Sequence, residues 1–253
     1  MSTSFEHELH RAEALAKEAG ALAIEECKNG LSVDPKGVDD LVTNVDIAVE
    51  KFLKERLAGE FPDDGLVGEE TGSQAGDAPR KWIIDPVDGT LNLAHGVPLT
   101  SVSVALEVDG HPVVGVVYHP WMNELFSARR GGGVHANGEA VRVSKRNKLA
   151  MSLVAAKPTR PHLAQFSNVA RASRDIRRFG TAALELAYVA CGRLDGFFEY
   201  GLQPWDTAAG QLLVEEAGGT VSNDDGGPFN GEQPCMVASN GILHAALLAE
   251  LKV

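Results

Sequence analysis

The alternation of apolar and polar residues changes character along this chain. Apolar residues recur at helical spacing over residues 5 to 29, with Glu and Lys between them, which predicts an amphipathic helix ended by Gly30. The same spacing predicts a second helix from about Val45 to Leu57, ended by Gly59 and Pro62. We expect loops at "LSVDPKGVDDL" and "DDGLVGEETGSQAGDAPR", and a short buried strand at "KWIID".

From Leu99 onward the period falls to two residues, which is typical of strands. Two alternating runs flank Asp109-Gly110, a dipeptide that favours a tight hairpin turn. Further strands are predicted at "ELFSARR", "AVRVS", "MSLVAA", "DGFFEYG" and "CMVASN". Helices are predicted at "TAALELAYVACG", capped by Thr181, at "WDTAAGQLLVEEAGG" and at "HAALLAELKV". The change of rhythm predicts two closely packed parts, residues 1–143 and 144–253.

Composition and charge narrow the class of protein. The 253 residues are 44% hydrophobic, enough for a substantial core, and their formal net charge is −12. A surface this acidic repels nucleic acid and anionic membranes, so neither is an expected partner. We see no secretory leader, no run of transmembrane length, and no metal or redox spacing among the three cysteines. These features predict a cytoplasmic globular α/β protein.

Acidic residues gather at the predicted ends of helices and strands. The apolar run in "WIIDPVDGT" ends in Asp85 and Asp88, Glu69 lies in "GEETG", and Asp206 lies in "PWDTAAG". Bringing four carboxylates together without a cation is costly because like charges repel. Hard divalent ions such as Mg²⁺ prefer carboxylate, carbonyl and water oxygen. The pattern therefore predicts a site for Mg²⁺ or a similar ion.

The residues after Asp88 suggest what such a site would bind. If a helix begins at Gly89-Thr90, its free N–H groups form an anion site beside the metal. Metals, acids and an anion site together describe phosphoryl transfer or hydrolysis. Each feature also has an ordinary structural explanation: Asp-Pro-x-Asp-Gly is common turn chemistry, and Asp46 and Asp206 suit helix caps.

A competing motif is the Asp-x-Asp-Gly-Thr of haloacid dehalogenase-like phosphatases, which use an aspartate nucleophile. Here the spacing is Asp-x-x-Asp-Gly-Thr, starting at Asp85. The extra residue changes which side chains converge, and the motif lies far from the start of the chain. Both differences disfavour this alternative.

Several motifs in collinear order carry a family resemblance. They are "DLVTNVD" (Asp40–Asp46), "GEETG" (Gly68–Gly72), "WIIDPVDGTLN" (Trp82–Asn92), "GTAALELAYVACGRLDGFFEYGLQPWDTAAGQLLVEEAGG" (Gly180–Gly219) and a late "ASN". With them, the sequence resembles the inositol monophosphatase family of Mg²⁺-dependent, lithium-sensitive phosphatases. The resemblance covers nearly the whole chain, and it implies a layered αβαβα fold and a homodimer.

The resemblance also implies metal ligands. Glu69, Asp85 and the carbonyl of Val87 would hold a first Mg²⁺. Asp85, Asp88 and Asp206 would hold a second, with Asp85 bridging the two. A third, weaker ion would sit near Glu69, and Mn²⁺ is an alternative to Mg²⁺.

The remaining implied roles concern water and substrate. Thr90 and Asp46 would orient and deprotonate the attacking water, without a phosphoenzyme. The backbone N–H groups of Gly89 and Thr90 would hold the phosphate. The substrate hydroxyls would contact Glu199, Asp88 and the backbone near Ala182.

The sequence departs from the family pattern at the rim of the expected site. Leu91 and Leu93 stand where inositol-specific members usually carry Thr and Phe. The segment from Val154 to Arg177 is shortened, and its "AAKPTR" replaces a usual Gly-Phe-Pro turn. The loop that holds Lys36 is one residue short. These departures bear on the substrate and the dimer surface, not on the metal ligands.

The leading hypothesis is therefore Mg²⁺-dependent hydrolysis of a small phosphorylated polyol or sugar, with inositol-1-phosphate first. The alternatives within the superfamily are histidinol-phosphate phosphatase, fructose-1,6-bisphosphatase and 3′-phosphoadenosine 5′-phosphate phosphatase. A hypothesis of another class is a non-catalytic binding or regulatory protein on the same fold. Its mark would be a lost carboxylate or a lost Thr90, and this sequence retains them all.

Overall fold

The computed structural model describes residues 4–37, 41–76, 79–231 and 233–252. Asp40, the first residue of "DLVTNVD", and Val253, the last residue of the predicted final helix, lie outside these ranges. The described α-helices are α1 (Glu6–Asn29), α2 (Asn44–Glu60), α3 (Thr90–Ala94), α4 (Leu163–Ala172), α5 (Ala182–Ala190), α6 (Pro204–Glu216) and α7 (His244–Leu251).

The strands form three sheets. β1 (Val33–Pro35) pairs with β2 (Leu41–Thr43) alone. An eight-stranded sheet has the order β10-β9-β8-β7-β6-β5-β3-β4, and a five-stranded sheet has the order β12-β11-β13-β15-β14. Their strands are β3 (Gly65–Gly68), β4 (Gly72–Gln74), β5 (Arg80–Asp88), β6 (Ser101–Val108), β7 (His111–His119), β8 (Glu124–Arg129), β9 (Val134–Ala136), β10 (Glu139–Val141), β11 (Leu153–Ala156), β12 (Asp175–Arg177), β13 (Gly196–Tyr200), β14 (Thr220–Ser222) and β15 (Cys235–Ser239).

Helices and sheets stack in five layers, which confirms the predicted αβαβα fold. Helices α1 and α2 cover one face of the eight-stranded sheet, around buried Trp82 and Leu53. Helices α5 and α6 fill the space between the two sheets, where Leu186 and Leu213 pack with Phe126 and Phe197. Helices α4 and α7 cover the outer face of the five-stranded sheet. Each sheet thus buries both faces, and the helix starts of the middle layer lie between the sheets.

Close packing of the middle layer depends on small residues. Gly115 on β7 pairs with Ala105 on β6 and with Ala128 on β8, so three small residues lie side by side across the sheet. Helix α6 lies over this strip, and an ideal Cβ at Gly115 would stand 2.8 Å from the carbonyl oxygen of Ala209. This approach brings α6, and Asp206 in its first turn, close to the sheet.

Most predicted elements are confirmed, with shifted ends. The first helix ends where Gly30 was expected to end it, and the second runs past Gly59 to Glu60. The hairpin at Asp109-Gly110 is present, and both residues have the positive φ of a type I′ turn.

The structure departs from the predicted elements in four places. The stretch from residue 63 to 80 is not all loop, because β3 pairs in parallel with β5 and β4 pairs with β3. These strands are short and rich in glycine, so pairing with a neighbour stabilises them rather than intrinsic propensity. The loop from residue 31 to 41 contains β1, and the "AVRVS" strand stops at Val141. Helix α4 lies unpredicted within the shortened segment.

No helix in the described part of the chain is both long and apolar enough to cross a membrane.

We expect Gly115→Ala to destabilise the protein by roughly 1–3 kcal/mol, because the added methyl forces α6 away from the sheet. Urea unfolding would measure the change. Gly59→Ala is the matched control, because Gly59 lies in α2 and has no atom near an added Cβ. That control should be neutral or stabilising by up to about 1 kcal/mol. Equal behaviour of the two variants would contradict the close approach of α6.

Candidate metal centre and active site

A β-bulge at the end of β5 points two aspartates the same way. Asp85 pairs with Ser103 and Asp88 pairs with Ser101, so two residues of β5 oppose one residue of β6. In a regular strand, residues three apart point to opposite faces. The extra residue cancels this alternation, and Pro86 fits the bulge because it has no N–H to donate to the ladder. Both carboxylates therefore face the middle layer.

Helix α6 supplies the third carboxylate. Ligand oxygens of Asp85, Asp88 and Asp206 all lie within 4.8 Å of one another. Asp206 sits in the first turn of α6, where its Oδ2 accepts the Gln203 N–H at 2.7 Å in a capping box. The structure thus brings together three of the predicted metal ligands, and the capping role of Asp206 coexists with its place in the cluster.

The start of α5 holds Asp88 in position. Its Oδ2 accepts hydrogen bonds from the Thr181 hydroxyl at 2.5 Å and the Ala183 N–H at 2.7 Å, and its Oδ1 accepts the Ala182 N–H at 3.2 Å. Thr181 is the N-cap residue of α5, as predicted. Its side chain forms no capping hydrogen bond with the helix and donates to Asp88 instead. The N–H of Ala182, near the predicted substrate contact, is likewise occupied by Asp88.

Thr90 and Asp46, to which the resemblance assigns the attacking water, are hydrogen-bonded to each other. The Thr90 hydroxyl lies 2.9 Å from Asp46 Oδ1 and 3.1 Å from the carbonyl oxygen of Val87. The other Asp46 oxygen accepts the Thr43 N–H at 2.9 Å, which completes a capping box at the start of α2. Asp46 therefore both caps a helix and holds Thr90.

The turn after Asp88 is built by Gly89. Its φ of 98° lies in the left-handed region, and an ideal Cβ would meet the carbonyl oxygens of Leu99 at 3.0 Å and Gly180 at 3.1 Å. Gly89 precedes the first residue of α3, so a helix begins at Thr90 as predicted. The carbonyl of Val87, the predicted backbone ligand, is buried beside Thr90.

Glu69 is not one of the three residues whose ligand oxygens all lie within 4.8 Å of one another. Its Oε1 is 3.2 Å from the Lys36 ammonium, which also lies 2.8 Å from Glu70 Oε2. Burial raises the pKa of Glu69 to about 7, and the charge of Lys36 opposes this shift. Lys36 thus places a positive charge where the resemblance implies that Glu69 would meet a metal.

Burial and mutual repulsion dominate the electrostatics of the cluster. Burial raises the pKa of Asp85 well above its usual range, and the charges of Asp88 and Glu69 raise it further. Burial also raises the pKa of Asp206, again with a contribution from Asp88. The pKa of Asp88 is raised by burial too, although Thr181 and two backbone N–H groups oppose the shift. Within the described ranges, none of these three aspartates forms an ion pair with lysine or arginine.

These residues fit a divalent metal. Converging carboxylates are the oxygen ligands that Mg²⁺ prefers, and a bound cation would remove the repulsion that raises their pKa values. The resemblance assigns Asp85, Asp88 and Asp206 to one ion and Glu69, Asp85 and Val87 to another. The structure brings the first set together and leaves Glu69 paired with Lys36.

Glu199, the predicted substrate contact, is buried and paired. Its Oε1 lies 3.3 Å from the ammonium of Lys157. Burial raises the pKa of Glu199, and Lys157 opposes the shift. The sequence analysis did not place Lys157 in the site.

A second residue that the sequence analysis missed is Glu50. Its carboxylate accepts the backbone N–H groups of Glu70 and Thr71 at 2.8 Å each and pairs with Lys54 at 3.0 Å. A Cβ at Gly68 would stand 2.5 Å from that carboxylate. Glu50 therefore shapes the "GEETG" turn that carries Glu69. A carboxylate four residues after Asp46, on the buried side of α2, was the available signal.

The chain is a layered α/β protein with a cluster of three carboxylates that could hold a metal ion, and it is similar to proteins of one family. The model of the inositol monophosphatase family matches residues 6–252. An inositol-1-monophosphatase from Mesorhizobium japonicum is 43% identical over 232 residues, covering 88% of this chain and 86% of the relative.

Two further relatives carry another name. Nus factor SuhB of Escherichia coli K12 is 40% identical over 247 residues, covering 94% of this chain and 92% of the relative. The crystal structure of extragenic suppressor protein SuhB from Bartonella henselae superimposes with a TM-score of 0.91 at 40% identity, covering 94% and 96% of the two chains. The chain belongs to the inositol monophosphatase family.

We expect Mg²⁺ to raise the thermal midpoint more at pH 8 than at pH 6. A carboxyl group whose pKa is raised by folding favours the folded state at low pH, and that contribution is lost as the pH rises toward the raised value. The metal-free protein should therefore lose stability as the pH rises through about 7, the value for Glu69. Mg²⁺ binds the ionised carboxylates, so it should restore stability at the higher pH.

Calorimetry with and without one fixed Mg²⁺ concentration would measure the shift at both pH values, and at pH 8 it should be roughly 5–10 °C if that concentration is about a hundredfold above the dissociation constant there. Asp206→Asn is the control, because it removes one carboxylate of the cluster and should abolish most of the shift. An equal shift at both pH values would contradict the electrostatic account.

We also expect Glu50→Ala to destabilise the protein by about 3–5 kcal/mol, since it leaves two backbone N–H groups and the Thr71 hydroxyl without their acceptor and removes the counter-charge of Lys54. Glu50→Gln should cost less and still weaken the Mg²⁺-induced thermal shift, because one amide oxygen cannot accept both bonds as a carboxylate does. Glu55→Ala, which removes an exposed pair with Lys51, should change stability by less than about 1 kcal/mol. An unaltered Mg²⁺ response in both Glu50 variants would show that the turn does not depend on Glu50.

Proposed function

We propose that the protein is a Mg²⁺-dependent phosphatase that hydrolyses a phosphomonoester of a small polyol or sugar, with inositol-1-phosphate as the leading candidate. The observation that carries the proposal is the convergence of Asp85, Asp88 and Asp206 within 4.8 Å. Membership of the inositol monophosphatase family and 43% sequence identity to an inositol-1-monophosphatase support the proposal.

When bound, Mg²⁺ supplies charge neutralisation for the phosphoryl oxygens and acidifies a nucleophilic water. The chain's own residues would then position the attacking water and take its proton. The proton of the Thr90 hydroxyl points to Asp46, the stronger of its two acceptors, which leaves lone pairs of Thr90 Oγ1 free to accept from the attacking water. Asp46 would take a proton through Thr90, so no side chain needs to form a covalent intermediate.

The other residues would bind and orient the ester. Gly89 and Thr90 would present backbone N–H groups to the phosphate at the turn after β5. Glu199 and Asp88 would accept hydrogen bonds from the polyol hydroxyls. Glu199 is already buried beside Lys157, so the substrate would displace little water from it.

A second candidate is a binding or regulatory role on the same fold, since an Escherichia coli relative carries the name Nus factor SuhB rather than the name of a phosphatase. The favouring observation is 40% identity over most of both chains. Every carboxylate needed for catalysis is retained, and three of them converge, which favours a phosphatase. The two roles are separable, because a binding role does not need the metal ligands.

The test is phosphate release with Mg²⁺ across inositol-1-phosphate, histidinol phosphate, fructose-1,6-bisphosphate, 3′-phosphoadenosine 5′-phosphate and glycerol-2-phosphate. A preference of a hundredfold or more in kcat/KM, about 2.7 kcal/mol of transition-state discrimination, would identify the substrate. Asp88→Asn should lower kcat by at least about a hundredfold while the protein stays folded, because it removes a metal ligand. Thr207→Ser, a conservative change one residue after Asp206, is the control.

Full activity of folded Asp88→Asn would contradict the metal assignment. A wild-type protein that binds Mg²⁺ and turns over none of the esters would contradict the phosphatase and favour the binding role.

A further inference from the structure

Two oppositely charged residues stand side by side where two parallel strands of the five-stranded sheet end. Ala156 of β11 lies opposite Phe198 of β13, so the next residues, Lys157 and Glu199, lie opposite each other. Residues two apart along a strand point to the same face. Phe197 packs in the core of the middle layer, so Glu199 faces that layer as well, and its contact with Lys157 places the ammonium on the same side.

The contact between Lys157 and Glu199 is an ion pair that leaves hydrogen-bonding capacity on both groups. The Lys157 ammonium lies 3.3 Å from Glu199 Oε1; the Glu199 side chain is 8% exposed and the Lys157 side chain 48%. A lysine ammonium has three N–H donors, and a carboxylate has about four acceptor positions. One contact uses a part of each group, so a ligand can meet a donor and an acceptor beside each other.

The path of the chain brings this pair next to the candidate metal centre. Strand β13 ends at Tyr200 and α6 begins at Pro204, so only residues 201–203 separate the strand that carries Glu199 from the helix whose first turn carries Asp206. The charge of Glu199 also acts on Asp206. In open α/β sheets, ligands bind beyond the carboxyl ends of the strands, which is where Lys157 and Glu199 lie.

The loop that carries Lys157 has a fixed backbone. Lys157 follows β11 directly, and further along the loop the ring of His162 stacks on Tyr200 with a centroid distance of 3.5 Å and an interplanar angle of 3°. Residues 156–158 read Ala-Lys-Pro, in the turn where the family usually has Gly-Phe-Pro. An apolar ring there would offer a ligand no hydrogen bond, whereas the ammonium offers one from a preorganised position.

A donor and an acceptor placed side by side match two neighbouring hydroxyl groups. Each hydroxyl can both donate and accept, and hydroxyls on adjacent carbons hold their oxygens within hydrogen-bonding distance of each other. One hydroxyl would donate to Glu199 while its neighbour accepts from Lys157. The pair would thus hold a vicinal diol at two points, where a carboxylate alone can only accept.

We propose that Lys157 is a specificity-determining residue that, together with Glu199, binds a vicinal diol on the alcohol part of the ester. This inference rests on the proposed phosphatase function and narrows its substrate class to phosphomonoesters of vicinal polyols, with inositol-1-phosphate as the leading member. The competing explanation is that Lys157 only neutralises the buried charge of Glu199 and does not touch the substrate.

The test is a double-mutant cycle of Lys157→Met and Glu199→Gln. Phosphate release with Mg²⁺ would be measured from inositol-1-phosphate and from cyclohexyl phosphate, which has the ring without the hydroxyls. Lys157→Met removes the N–H donors, and Glu199→Gln keeps an acceptor oxygen but removes the charge that needs neutralising. Lys157→Arg retains donors and charge, and Lys145→Met removes an exposed lysine outside this loop as the matched control.

Lys157→Met should lower kcat/KM for inositol-1-phosphate roughly tenfold or more, the value of one hydrogen bond to a charged group, in both the wild-type and the Glu199→Gln background. The loss should appear mainly in KM, because a contact remote from the reacting atoms stabilises ground and transition states alike. In the Glu199→Gln background, Lys157→Met should leave kcat/KM for cyclohexyl phosphate unchanged. Lys157→Arg should retain most of the wild-type value for inositol-1-phosphate, and Lys145→Met all of it.

A loss that disappears in the Glu199→Gln background would overturn this inference in favour of simple neutralisation. An unchanged kcat/KM in both backgrounds, or an equal loss for cyclohexyl phosphate in the Glu199→Gln background, would overturn it as well and leave the phosphatase standing. Hydrolysis of other esters but not of inositol-1-phosphate by the wild-type protein would overturn this inference alone. Failure to hydrolyse any ester would overturn both proposals.

Discussion

Repulsion among buried carboxylates is the constraint around which this site is built. Asp85, Asp88 and Asp206 are brought within 4.8 Å of one another by two different elements, a strand end and a helix start. Burial penalises each charge, and each charge penalises the others, so the pKa of all three is raised. A protein can hold such a cluster only if the favourable free energy of packing exceeds the electrostatic cost of the cluster. Here the large hydrophobic core of the middle layer lies beside the cluster and supplies that packing. The arrangement is then poised for a divalent cation, which turns the unfavourable interaction into a favourable one.

Hydrogen bonds from N–H and hydroxyl groups stabilise the charge of Asp88 more than the charge of Asp85. Asp88 accepts two N–H groups from the start of α5 and the hydroxyls of Thr181 and Ser101, whereas Asp85 accepts the Val87 N–H as its one hydrogen bond among the described residues. The turn before α5 is itself held by Glu185, which accepts the N–H groups of Phe179 and Gly180, and by Asn92, which donates to the carbonyl of Phe179. Hydrogen bonds therefore fix the Asp88 carboxylate and the turn before α5 from several directions.

The sequence predicted the ligands better than the geometry that unites them. Motif spacing identified Asp85, Asp88 and Asp206, and their convergence is observed. The bulge that turns Asp88 to the same face as Asp85 was not predicted, because it depends on the register of β6, which no local pattern encodes. The short strands β3 and β4 were not predicted for a related reason, because they depend on pairing with β5 and with each other. Glu50 and Lys157 were missed because their roles depend on contacts with residues far along the chain, twenty or more positions away.

The cluster of three aspartates tolerates substitution less well than the edge of the site around Lys157. A change to Asp88 or Thr181 disturbs several hydrogen bonds at once, whereas Lys157 contacts the site through one carboxylate and is half exposed. The loop after β11 can therefore exchange an apolar turn for a cation without moving a metal ligand. The carboxylate cluster thus depends on the eight-stranded sheet and the starts of α5 and α6, whereas Glu199 and Lys157 belong to the five-stranded sheet and the loop after β11.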